Sequence, residues 1–411
     1  MDSVVKTYPN GLRLVVTPMA NYKSVAFSIS VMVGSGDETK DEQGLSHFCE
    51  HMLFKGTTNR TGQQIIDEFS RLGIINNAWT SECETRYHAK TVAENLEACV
   101  DIMSDMYLNT KFEVGDFHKE GDVIVQEIAM HEDNPGSVMY DRMNEVFYRG
   151  TKYEHPVAGY AAAIKQYQPD DIYNYLEKHY IAPKTVIAFA GDVTVERAEE
   201  LVSKYFLRYL PKTAAEPMKR QNVAPVQPAS SSLQVKKDTE QQHVVLALPV
   251  CNQYSDERYA LRLFSLLYGG DMSSRLFINV REKLGLVYSI HCGLEFSDIG
   301  GNLMVVFSCT PQNTQKVIDV IYKEIDDLRR NGIQEEELAK ARNYYHVQRL
   351  FQSEVTTSVN NHVADVLLDY DRVITTEEEL IKVDAVTVEE INALIKKYLS
   401  KERIITVVVG K

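Results

Sequence analysis

The chain has 411 residues, 44% apolar and 25% charged, a globular composition long enough for two domains. Its net charge of −14 argues against a nucleic-acid partner, because phosphate binding needs clustered Lys and Arg. No stretch has the apolar length of a membrane span, so no membrane partner is expected. The N-terminal segment Met1 to Gly11 has neither a signal core nor an Arg-rich transit pattern, and the chain reads as cytoplasmic. The six cysteines are scattered without a C-x-x-C pair, which fits free thiols.

In chain order, Leu12 to Val16 reads as a strand. Val25, Phe27, Ile29, Val31 and Val33 then alternate with small or intermediate residues at the strand period. The next segment is Gly44-Leu-Ser-His-Phe-Cys-Glu-His-Met-Leu53. Leu45, Phe48, Cys49, Met52 and Leu53 form an apolar helical stripe, and His47, Glu50 and His51 project from the other face. Two imidazoles four residues apart can share one metal ion, and H-x-x-E-H is a zinc-hydrolase pattern. A polar helix face can also simply be solvated, so the string alone does not fix a site.

Residues 63–72 and 95–108 read as helices, as does 118–133. On the last, Glu120 and Glu127 are seven residues apart, on one face but separated by about 10 Å along the axis. One could complete a three-ligand zinc site while the other orients a ligand histidine, and periodicity does not say which.

Thr213 to Ser232 is rich in Pro, Ala and Ser with no hydrophobic period, and reads as a linker. It separates an N-terminal domain, residues 1–212, from a C-terminal domain, residues 233–411. Each half ends in an amphipathic helix, a Tyr and a β-rich run: 169–180 before 186–191, and 387–398 before 404–410. This reads as a duplicated α+β domain, each copy a mostly antiparallel sheet with helices packed on one face. Residues 243–248 and 302–308 read as strands of the second copy and 314–330 as a helix. Its helix near Tyr259 to Tyr268 has no histidine, so only the first copy can hold metal this way.

Gly44 to Thr57 resembles, almost residue by residue, the metal helix of the pitrilysin/insulinase-type inverted zincins. The resemblance covers nearly the whole chain and is strongest to the two-domain branch that includes mitochondrial processing peptidase and its bacterial relatives. The family's third ligand lies 76 residues past the second His, at Glu127 here, and its supporting acid seven earlier, at Glu120. The resemblance therefore implies that His47, His51 and Glu127 hold one Zn²⁺ per chain and that Glu50 is the general base. The His₂Glu set would also accept manganese or cobalt.

The resemblance further implies that Asn77, Ala78 and Trp79 belong to an edge strand that receives a substrate peptide. Two past Ser81, where many relatives carry an acid, this chain has Cys83, flanked by Glu82 and Glu84. Arg281 and Tyr288 match an Arg/Tyr pair that reaches the substrate backbone, and the Gly269-Gly270 turn is short, as in catalytic rather than partner subunits. The family pattern implies that the two domains form a half-clamshell and that two chains close it as a homodimer. It implies a zinc metalloendopeptidase for short or unfolded peptides, with presequence processing among the roles. The competing reading is a non-catalytic peptide-binding or core-protein-like scaffold.

Overall fold

The computed structural model describes residues 2–207 and 214–411; Thr213 of the linker and residues 208–212 before it lie outside the described residues. The chain forms two compact α+β units. Unit 1 comprises residues 1–129, 155–220 and 350–376, and unit 2 comprises 130–154, 221–349 and 377–411. Each unit thus includes a segment from the other half of the sequence. Residues 214–230 carry no helix or strand. Among the described residues no helix is long and apolar enough to cross a membrane. All six cysteines are free.

Unit 1 is built on a six-stranded sheet of β1 (Val4–Thr7), β2 (Arg13–Pro18), β3 (Ser24–Val31), β4 (Ile75–Thr80), β5 (Thr85–Val92) and β6 (Thr185–Gly191), in the order β1-β2-β6-β3-β5-β4. Every pairing is antiparallel except β2 with β6. Unit 2 has five strands, β7 (Ser231–Val235), β8 (Gln242–Val250), β9 (Ile290–Ser297), β10 (Gly300–Cys309) and β11 (Ile405–Val409), in the order β7-β11-β8-β10-β9. Here only β7 with β11 is parallel. The run β2-β6-β3-β5-β4 and the whole second sheet have the same order and pairing directions, as an internal duplication requires.

One face of the first sheet carries most of the helices. Val25, Phe27, Ile29 and Val31 of β3 join a buried core with Phe48, Phe69, Cys99, Ile172 and Leu201 from five helices. The structure adds one helix on the other face. Val363, Ala364, Leu367 and Leu368 of helix Thr356–Tyr370 pack on Val15, Val186 and Ala188. Ser28 and Ser30, the small residues between the apolar ones on β3, are therefore fully buried. Unit 2 repeats the arrangement: Met139, Met143 and Phe147 of helix Pro135–Phe147 cover Val245, Ala247 and Val407.

The second face of unit 1 also holds a buried charge. Arg86 is fully buried and donates to Glu84 and Asp365 at 2.5 Å each. Of the two acids flanking Cys83, Glu84 is thus the one paired with Arg86, and the Arg86 guanidinium lies over the Trp79 ring at 5.2 Å.

Candidate metal centre

Helix Leu45–Met52 positions the H-x-x-E-H side chains. Its start is fixed by Gly44 at φ 92°, where an added Cβ would meet the Ala158 carbonyl oxygen at 2.7 Å and the Ile164 Cδ1 at 2.9 Å. The carboxylate of Glu38 accepts from the Gly44 N–H at 2.8 Å and the Ser46 N–H at 2.7 Å. It thereby satisfies N–H groups that the first turn leaves unpaired, and its negative charge suits that end of the helix. Leu45, Phe48, Cys49 and Met52 are buried in the core, so the helix cannot roll without exposing them.

The second ligand-bearing element is helix Val114–Asp133. Phe117 stacks on Phe48 with ring centroids 4.9 Å apart, which locks this helix to the first. Glu120 and Glu127 then take different positions. The Glu120 carboxylate accepts from His51 Nδ1 at 2.9 Å, while the Glu127 carboxylate lies 3.4 Å from His51 Nε2 and 4.0 Å from His47 Nε2. The choice that periodicity left open resolves into one carboxylate on each side of the same imidazole.

The two Nε2 atoms are 3.3 Å apart, and the donor atoms of His47, His51 and Glu127 all lie within 4.8 Å of one another. Ligand atoms in a tetrahedral zinc shell with bonds of about 2.0–2.1 Å sit about 3.3 Å from each other. The donor set, two imidazoles and one carboxylate, therefore fits a catalytic zinc site with room for a further ligand. Because His51 Nδ1–H donates to Glu120, the Nε2 lone pair is left facing the centre.

Local charge follows the same logic. Burial, helped by the neighbouring His51, drives the His47 pKa down to about 4, which keeps that imidazole neutral. Burial also disfavours the His51 cation, but the Glu120 hydrogen bond and the charges of Glu127, Glu120 and Glu50 outweigh it and raise the pKa. Glu50 is buried and shifted upward, first by desolvation, against opposing contributions from the Thr80 hydrogen bond and His51. Burial would raise Glu120 as well, yet its bonds to His51 and Lys55 hold it below the usual carboxylate range.

Two side chains at this site were not singled out from sequence. Lys55, just past the helix end, places Nζ 2.5 Å from the second oxygen of Glu120. Thr80 donates its hydroxyl proton to Glu50 Oε2 at 2.5 Å. Lys55 lies four residues after His51, a spacing that could have flagged it; Thr80 comes from a distant strand and had no such signal.

Asn77, Ala78 and Trp79 lie in β4, the edge strand of the unit 1 sheet, which is hydrogen-bonded to β5 alone within that sheet. Its outward N–H and C=O groups are those a peptide strand would pair with. Arg281 and Tyr288 belong to unit 2. Arg281 sits over the Phe277 ring at 4.5 Å and 5.7 Å from the centroid of Tyr288, a residue that is 81% exposed.

Comparison with known proteins gives a consistent picture. Residues 14–160 match the family model described as "Insulinase (Peptidase family M16)", and residues 166–345 match "Peptidase M16 inactive domain". The chain is 29% identical to a Bacillus subtilis protein named as an uncharacterized zinc protease, over 96% of this chain and 95% of that one. It is 30% identical to a Mycobacterium leprae protein of the same description, over 96% and 89%. Two solved structures share the fold. A protease from Helicobacter pylori has a TM-score of 0.89 at 21% identity, covering 100% of this chain and 99% of that one. A peptidase M16 inactive domain from Pseudomonas fluorescens has a TM-score of 0.91 at 17% identity, covering 100% and 98%.

Proposed function

The chain belongs to the insulinase (M16) peptidase family, and from that premise we propose that it is a zinc-dependent endopeptidase for short or unfolded peptides. The observation that carries this reading is the convergence of His47, His51 and Glu127 within 4.8 Å, with the buried carboxylate of Glu50 on the same helix turn. When bound, zinc supplies Lewis acidity and lowers the pKa of a water toward about 7.

The remaining work falls to the chain's own groups. Glu120 holds the Nδ1 proton of His51 and so fixes the ring. Glu50 has Oε2 occupied by Thr80, leaving Oε1 to take a proton from the attacking water and return it to the leaving amine. A carboxylate whose pKa burial has raised is suited to both halves of that transfer. The edge strand β4 aligns the peptide main chain, with Asn77, Ala78 and Trp79 beside it. Arg281 and Tyr288 serve as donors to the substrate carbonyl, and two chains assemble around the peptide; both statements rest on the family resemblance.

The scaffold reading draws on the second half, whose match is described as an inactive domain. That half lacks an H-x-x-E-H pair, its corresponding helix carrying no histidine, whereas the first half retains His47, His51 and Glu127. Removal of metal separates the two readings. A chelator is expected to abolish hydrolysis of a quenched fluorogenic peptide library, and one equivalent of zinc per chain to restore it. A protein that binds zinc yet never cleaves any peptide would favour the scaffold. Rapid digestion of a stable globular protein would contradict the restriction to unfolded peptides.

A further inference from the structure

We propose that the Thr80 hydroxyl is a positioning group for Glu50, so that the strand expected to receive the peptide also sets the orientation of the base. This rests on the zinc-peptidase reading and adds a residue to it. Thr80 is the last residue of β4 and pairs with Thr85 of β5. Side chains alternate along a strand, so Thr80 shares a face with Ala78. Ala78 packs against the unit 1 core and Trp79 points the other way, over Arg86. The face of β4 that carries Thr80 is thus the one turned to helix Leu45–Met52, and Oγ1 reaches Glu50 Oε2 at 2.5 Å.

Three features make this contact more than incidental. A hydroxyl-to-carboxylate bond of this length is in the strong, charge-assisted class. Thr is stiff about χ1, so the hydroxyl direction follows the strand backbone. Glu50 is 9% exposed, which leaves little water to replace the bond. A hydroxyl carries one proton to donate, so it engages one carboxylate oxygen and leaves the other free. A peptide added to the outer edge of β4 would be held through main-chain groups, leaving the Thr80 side chain on Glu50. Any shift of the strand on peptide binding is then passed directly to the base.

The test compares Thr80→Val, which keeps the shape but removes the hydroxyl, with Thr80→Ser, which keeps the hydroxyl. In Thr80→Val, kcat is expected to fall about 10- to 100-fold, the scale of a hydrogen bond to a charged group, with KM little changed. Thr80→Ser should stay near wild type. Two binding readouts accompany the kinetics: zinc affinity of the metal-free proteins by chelator competition, and affinity of a fluorescent peptide for Glu50→Gln and for Glu50→Gln/Thr80→Val. Both are expected to be unchanged by the Thr80 substitution. Should Thr80→Val fail to show a cooperative thermal unfolding transition, Thr80→Ala takes its place. Wild-type kcat in the hydroxyl-free variant overturns the proposal, as does Thr80→Ser as impaired as Thr80→Val, or an effect confined to KM or zinc affinity. If Glu50→Gln is inactive while Thr80→Val is normal, only this proposal falls. If Glu50→Gln turns over normally, the assignment of Glu50 as base falls first.

Discussion

Units 1 and 2 fold the same chain pattern twice and put different chemistry on it. In both, a strand at the sheet centre runs toward a short helix: β3 precedes Leu45–Met52, and β8 precedes Glu257–Ser265. In unit 1 that helix presents His47, Glu50 and His51 beside Glu120 and Glu127. In unit 2 the corresponding helix carries Arg258 and Arg262 and no histidine. It continues into the segment Leu266–Gly270, which kinks at the non-helical Gly269, so close to β9 that an added Cβ would meet Cys292 N at 2.7 Å. The comparison teaches that the candidate metal centre is a decoration of one helix, with Glu127 as a third donor and Glu120 beside His51. The sheet and its core do not depend on it.

A pair of core truncations tests that separation with the largest effects. Phe48→Ala in unit 1 and Phe264→Ala in unit 2 each remove a fully buried stacked ring, and each is expected to cost about 3–5 kcal/mol of stability in denaturant unfolding. Only Phe48→Ala should also weaken zinc binding, since Phe48 ties the two ligand-bearing helices together. Equal zinc loss in both variants would break the comparison.

Glu38→Ala is next. It strips the cap from the metal helix and leaves buried N–H groups unpaired, for an expected loss of about 1–3 kcal/mol in the same assay. A neutral result would mean that water replaces the carboxylate at Gly44 and Ser46.

Glu120→Gln keeps the fold but weakens the grip on His51 Nδ1. Zinc affinity is expected to drop about 10- to 100-fold by chelator competition. Affinity equal to wild type would show that Glu120 does not support the ligand.

The pH dependence is the finest test. Zinc binds neutral imidazole, and His47 is already neutral above about pH 4. His51, with its raised pKa, still carries a proton at mildly acidic pH, so affinity should fall as pH drops through the His51 pKa, with close to one proton released per zinc. Glu120→Gln should move this midpoint downward, because its hydrogen bond is foremost among the contributions that raise it. An unmoved midpoint would assign the titration elsewhere.

Much of this was legible in the sequence because the signals are local. The stripe Leu45, Phe48, Cys49, Met52 and Leu53 orients the metal helix, and the alternation from Val25 to Val31 identifies the central strand. What escaped is what sequence neighbours cannot encode. Ser28 and Ser30 read as the outward side of a one-sided sheet, yet helix Thr356–Tyr370, more than 300 residues later, buries them. Periodicity puts Glu120 and Glu127 on one helix face and does not separate them; the family spacing did, and in the structure His51 lies between the two carboxylates. Thr80 reaches Glu50 from a strand 30 residues further along the chain, whereas Lys55, four residues past His51, had a local spacing that could have flagged it.

The central claim is that unit 1 is a zinc site with Glu50 as its base, and Glu50→Gln tests it most directly. Zinc content and peptide turnover would be measured together for the wild type and the variant. The account predicts one zinc per chain in both, with turnover about 10²- to 10⁴-fold lower in Glu50→Gln. Full zinc occupancy with near-normal turnover in Glu50→Gln would contradict it.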